Sequence, residues 1–202
     1  MPRTFSLRSI GLIVLLMLVG TPALAGEATD RIKETTDKIL AIVSNPALKT
    51  PEKTTERDRL IRKAVDERFD WKEMSRRALA IHWSKRTDDE KTEFIKLFGE
   101  LLEDTYMDKV GGYSGEVVTY EGEKVSGPYG IVKVKILTQN DKPIFVKYRV
   151  KKKGKDWFVY DISIEGVSLI NNYRKQFNSI INRSSYEDLV EKLKAKVMKN
   201  RG

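Results

Sequence analysis

The 202-residue chain contains no cysteine, which excludes a disulfide framework, a thiolate zinc site and a cysteine nucleophile. It has one histidine, His82, too few for a histidine-based transition-metal centre. No apolar run reaches the ~18 residues that a membrane-spanning helix needs. Neither G-x-x-x-x-G-K-[ST] nor G-x-G-x-x-G is written in the chain. At Gly154-Lys155 an arginine, Arg149, stands where the first glycine of a phosphate-binding loop belongs. No ATPase or dinucleotide site is therefore expected, and no cofactor or metal.

What is present is a globular composition: 40% apolar residues, 9% aromatic and 33% charged. The length suits one domain. The N-terminus carries Arg3 and Arg8 without an acid, then an apolar core from Ile10 to Val19, then Ala23-Leu24-Ala25. A basic head, a short apolar core and small residues before a cut describe a secretory signal peptide over residues 1–25. Cleavage after Ala25 exposes Gly26, not a lipid-bearing cysteine, so residues 26–202 are expected free in the periplasm. The mature chain keeps 36 basic against 29 acidic residues, a net charge of about +7. Outside the cytoplasm nucleic acid is not the expected counter-surface; anionic lipid headgroups or an acidic protein are.

The apolar period divides the chain. Residues from about 27 to 110 read as helices. Glu27–Ser44 places Ile32, Ile39, Ile42 and Val43 on one side, and Pro46 and Pro51 break the helical pattern beyond it. Further helices are expected over about Thr55–Phe69 and Trp71–His82. Thr87-Asp88-Asp89-Glu90 forms a capping box that opens a long helix to about Lys109. Residues from about 116 to 165 change to a period of two. Val132, Val134 and Ile136 alternate with lysines, as do Ile144, Val146, Tyr148 and Val150 with Lys147, Arg149 and Lys151. Asn140–Pro143 and Lys153–Asp156 are turn signals, so the strands form an antiparallel meander. Two helices over about 168–199 close the chain. Grouped strands and flanking helices give an α+β class.

Little here announces catalysis. Ser168, Asp161 and His82 are the residue types of a hydrolytic triad, but Ser168 is better placed as a helix N-cap, and Gly166-Val167-Ser168 lacks the closing glycine of a nucleophile elbow. Asp88 and Asp89 start a helix, where the dipole favours acids.

Several segments carry a resemblance. Phe69-Asp70-Trp71-Lys72-Glu73-Met74-Ser75-Arg76-Arg77-Ala78-Leu79, followed by His82-Trp83, resembles a block of the MlaC, or toluene-tolerance, family. Trp157-Phe158-Val159-Tyr160-Asp161-Ile162-Ser163-Ile164-Glu165-Gly166-Val167-Ser168-Leu169-Ile170-Asn171-Asn172-Tyr173-Arg174-Lys175-Gln176-Phe177 resembles that family's longest signature. The likeness runs over about residues 27–197. One departure is Ser84-Lys85 after Trp83, where relatives often carry arginine.

The resemblance implies an NTF2-like antiparallel sheet with flanking helices closing over a hydrophobic lipid pocket, in a protein expected to act as a monomer. It implies a phospholipid ligand carried without chemical conversion. The implied partners are an outer-membrane lipoprotein complex and an inner-membrane ABC transporter complex with its lipid-binding subunit; the implied role is upkeep of outer-membrane lipid asymmetry. Lipid-facing candidates are Met74, Leu79 and Trp83; Phe94, Phe98, Leu101, Leu102 and Tyr106; Val132, Val134, Ile136, Ile144, Val146, Tyr148 and Val150; and Tyr173. Taken singly each also suits an ordinary core. Arg76, Arg77 and Arg149 are candidates for meeting the phosphate. Two other readings stand beside the carrier: an NTF2-like pocket enzyme, for which Asp161 and Glu165 are the candidate acids, or a binder of another apolar ligand such as a sterol-like lipid or quinone. Both faces of the last strand are apolar, so its pocket face is open.

Overall fold

The computed structural model describes residues 26–201, with the side chains of Asp108, Lys109, Asn200 and Arg201 left aside. The segment read as a signal peptide lies outside the described residues. Helix α1 runs over Glu27–Ser44, as its periodicity predicts. Two short 3-10 turns at Pro46–Leu48 and Pro51–Lys53 lead to α2, Thr54–Asp66. Each turn begins at a proline, whose fixed φ suits a first helical position. Helix α3 covers Trp71–Leu79 and ends sooner than the expected His82. Ala80 there turns to a positive φ of 50°, and the chain continues as a 3-10 turn to Lys85. Helix α4 spans Asp88–Gly111. Its capping box is closed both ways: Glu90 N–H donates to Thr87 Oγ1 at 3.2 Å, and Thr87 N–H to Glu90 Oε2 at 2.6 Å.

Five antiparallel strands come next, in sheet order β1-β2-β3-β4-β5: Val117–Ser126, Tyr129–Leu137, Pro143–Lys153, Asp156–Ile164 and Val167–Ser168. Helices α5, Leu169–Arg183, and α6, Tyr186–Arg201, complete the α+β architecture. Two bulges shape the sheet. Glu121 in β1 and Tyr160 in β4 have no cross-strand partner, so the faces of both strands change parity at these points.

The sheet buries two faces differently. Its inner face carries Val132, Val134, Val146 and Val150, packed with Trp157 and Val159 against Ala28 and Ile32 of α1. The N-terminal end of α1 is pinned to the sheet. Glu123 accepts from both Thr29 N–H and Thr29 Oγ1, at 2.6 and 2.7 Å, and Glu27 pairs with Lys152 at 2.7 Å. Buried Arg68, at the end of α2, joins the layers. Its guanidinium donates to Thr35 Oγ1 at 3.0 Å, to Asp156 at 2.8 Å and to the Trp157 carbonyl at 2.8 Å. A second core lies among α3, α4, α5 and α6, around Phe94, Phe98 and Phe177. Phe98 and Phe177 meet edge-on with centroids 5.3 Å apart.

Candidate functional site

The inner face of the sheet and the first helices do not close completely on each other. They leave an apolar cavity of about 510 Å³. The sheet contributes Val118, Ile136, Ile144, Val146, Tyr148, Val159, Ile162 and Ile164. Helix α1 contributes Ile32, Ile39, Leu40 and Val43; α2 contributes Ile61 and Val65; α4 contributes Leu102, Tyr106, Met107 and Val110. The lining mixes buried residues such as Met74, Val146 and Val159 with half-buried ones such as Val65, Val110, Tyr113, Glu116, Thr138 and Ile144.

Polar groups on this wall are mostly engaged. Arg62 donates to Glu103 at 2.7 Å and to Asp104 at 2.6 Å. Burial raises the Glu103 carboxyl above its ordinary range, against the pull of Arg62. Tyr148 is pushed up to about 12 by burial, so its hydroxyl stays protonated at any physiological pH. A cavity of this size, with mostly aliphatic walls, suits an elongated apolar ligand rather than a charged one.

Of the residues expected to face lipid, Met74, Leu102, Tyr106, Ile136, Ile144, Val146 and Tyr148 border the cavity. The others do not. Leu79, Phe94, Phe98 and Leu101 lie in the helical core, with Trp83 and Tyr173 packed against it. Helix α4 is the reason: Phe94, Phe98 and Leu101 are packed into the helical core with α3, α5 and α6, and the helix lines the cavity only from Leu102 onward. Val132, Val134 and Val150 sit on the correct sheet face but under the N-terminal end of α1, which fills that part of the space.

The arginines expected at a headgroup are also elsewhere. Arg76 and Arg77 pair with Glu73 at 2.7 and 2.9 Å, and Arg149 lies 3.5 Å from Asp161 on the opposite face of the sheet. Arg77 and Arg149 share a small polar cleft with Arg174 and Asn171, separate from the cavity. Sequence reasoning missed the contributions of α1 and α2. The apolar stripe at Ile32, Ile39 and Val43 was the available signal, but the same stripe describes a core helix.

The triad residues do not assemble. Ser168 Oγ donates to Asp161 at 2.7 Å and accepts from Asn171 N–H at 3.0 Å as the cap of α5. His82 bonds Asn178 at 2.9 Å instead. Neither candidate acid enters the cavity: Asp161 is on the other face, and exposed Glu165 accepts from Phe145 N–H. On β4 the Tyr160 bulge puts Val159, Ile162 and Ile164 on the cavity side, which settles the face that the apolar pattern left open.

Comparisons with known proteins agree with this architecture. The phospholipid-binding protein from Ralstonia solanacearum, solved in complex with a phospholipid, superposes with a TM-score of 0.77. It is 26% identical and aligns over 88% of this chain and 100% of its own. The intermembrane phospholipid transport system binding protein MlaC of Haemophilus influenzae is 29% identical over 122 residues, 58% of this chain. The match spans 57% of that relative's own length. A profile described as MlaC protein matches residues 33–195. The NTF2-like arrangement expected from the resemblance is thus the one found, and the chain belongs to the MlaC protein family.

Proposed function

We propose that the protein is a periplasmic phospholipid carrier that shuttles one lipid at a time between membrane-bound complexes. The observation that carries this reading is the apolar cavity of about 510 Å³, in a fold whose neighbour from Ralstonia solanacearum was solved with a phospholipid. Two acyl chains hold about 30 methylenes, and exposing them to water costs roughly 24 kcal/mol at ~0.8 kcal/mol each. Free diffusion of the lipid is negligible on that scale, so a carrier must cover the tails.

Here the tails lie between α1, α2, the end of α4 and the inner sheet face. In this reading the headgroup lies toward the half-buried polar stretch of the lining at Glu116 and Thr138, since Arg76, Arg77 and Arg149 do not border the cavity. The Glu103 carboxyl is tied to Arg62, and the Thr35 and Thr36 hydroxyls in the wall donate to backbone carbonyls of α1; transport without chemical change fits this better than catalysis. Release into water would pay the same transfer cost, so handover requires a docked partner that opens the helices. The partners in this reading are an outer-membrane lipoprotein complex and an inner-membrane ABC transporter complex, the second supplying direction through ATP. The resulting role is maintenance of outer-membrane lipid asymmetry.

Native mass spectrometry of the protein purified from its periplasm tests the reading, with lipid identified after denaturation. One phospholipid per chain is expected. An empty protein, or one loaded with a sterol-like lipid or quinone, would overturn it.

A further inference from the structure

The sheet face turned away from the cavity is strongly basic and largely uncovered. Helices α3 and α5 pack against β4, leaving this face of β1, β2 and β3 open. Cross-strand register puts Lys133 directly opposite Lys147, Lys135 opposite Phe145, and Ile131 opposite Arg149. Lys124 of β1 opposes Ile131 and extends the same surface. Lys124, Lys133 and Lys147 are exposed, and Phe145 is 45% exposed. Arg149 is engaged by Asp161 and Lys151 by Glu73. No ion pair among the described residues engages Lys124, Lys133, Lys135 or Lys147. The remaining acids beside this face are exposed Glu121, at the β1 bulge, and exposed Glu165, whose carboxylate accepts from Phe145 N–H.

Two lysines directly opposite each other on a sheet repel, a pairing that folding alone disfavours. We propose that this face docks the protein onto an anionic bilayer surface, with Lys124, Lys133, Lys135 and Lys147 meeting lipid phosphates and Phe145 entering the headgroup layer. Charge complementarity selects the occupant. The four free cations are lysines, compact hydrated charges without the fork geometry that reads a specific carboxylate. They form a flat array with an aromatic ring among them, which matches a laterally mobile anionic surface better than one acidic protein segment.

The Lys135–Phe145 pair adjoins the Ile136–Ile144 pair, whose side chains line the cavity on the other face. The docking step itself does not depend on what the cavity holds.

Co-sedimentation of the mature chain with vesicles tests this, reading bound protein rather than lipid content. Vesicles of phosphatidylglycerol and phosphatidylcholine should retain the protein at least tenfold better than phosphatidylcholine alone. Salt at ~0.5 M should release it, because the screening length shrinks to a few ångströms. Each surface lysine contributes roughly fivefold to such partitioning. Lys133→Glu with Lys147→Glu should therefore lose binding at least tenfold, while Lys175→Glu with Lys196→Glu, equal in charge change but on α5 and α6, should stay within about twofold. Charge reversal at Lys133 alone relieves the like-charge pair, so that variant should fold with an unchanged or higher melting temperature. Equal loss in both double variants, equal binding to phosphatidylcholine, or no vesicle binding at all would overturn the proposal. So would a protein that ignores vesicles but is held by immobilised polyglutamate through the same lysines.

Discussion

At the scale of single residues, Glu73 shows how the outer surface of α3 is held. Its carboxylate, almost buried, meets Arg76 at 2.7 Å and Arg77 at 2.9 Å, with Lys151 at 3.9 Å. The Arg76 hydrogen bond, working against burial, lowers its pKa to about 2. The unfolded-state value is about 4.5, so the unfolded chain takes up this proton first as pH falls. The stabilisation is complete above about pH 4.5 and is lost between 4.5 and about 2. Its size is on the order of 2 kcal/mol, once solvent screening at the partly exposed arginines is allowed for. Urea titrations across this window should show a steep acid limb that Glu73→Gln flattens. An identical limb in the variant would remove Glu73 from the account.

Ser168 bears on stability in a second way. Its hydroxyl caps α5 through Asn171 N–H and at the same time donates to buried Asp161, which also accepts from Ile170 N–H at 3.0 Å. Ser168→Ala should cost about 1–2 kcal/mol. For a chain of this length that lowers the melting temperature by roughly 2–8 °C. A shift of less than a degree in a thermal melt would contradict the capping role.

At the scale of elements, most of the helices and strands were legible. The helix over Glu27–Ser44, the capping box at Thr87 and the alternation through β2 and β3 all arise from periodicity and turn chemistry. The early stop of α3 was not, because nothing local marks Ala80 for its positive φ of 50°. Nor was the pocket face of β4: a one-residue bulge at Tyr160 reverses parity, and apolar residues on both faces hide the reversal. The cavity wall was only partly readable for a related reason. A side chain that faces a void and one that faces a core satisfy the same period, so Phe94 and Tyr106 look alike on the α4 stripe. Neighbouring helices decide between them, and the stripe alone does not encode where those neighbours end.

At the scale of the whole molecule, a half-buried position in the cavity wall is the place to separate loading from folding. Ile144 is such a position, whereas Val146 beside it is buried. Ile144→Trp should fill part of the cavity while disturbing the packed core little. Mass spectrometry of the variant should show at least a tenfold fall in the lipid-bearing fraction, with a melting temperature in the lipid-free form close to that of the parent. Undiminished lipid content would show that Ile144 does not bound the ligand space.

Helix α4 takes part in both compartments. Phe94 and Phe98 are fully buried in the helical core, while Tyr106 and Met107, about two turns further along, border the cavity. Tyr106 also packs against the helical core and Met107 is buried with Val43 and Ile61, so the two compartments meet on this one helix. On the proposed reading, half-buried Val110 is where drift would change the chains accommodated with less disturbance to either core than at Tyr106 or Met107.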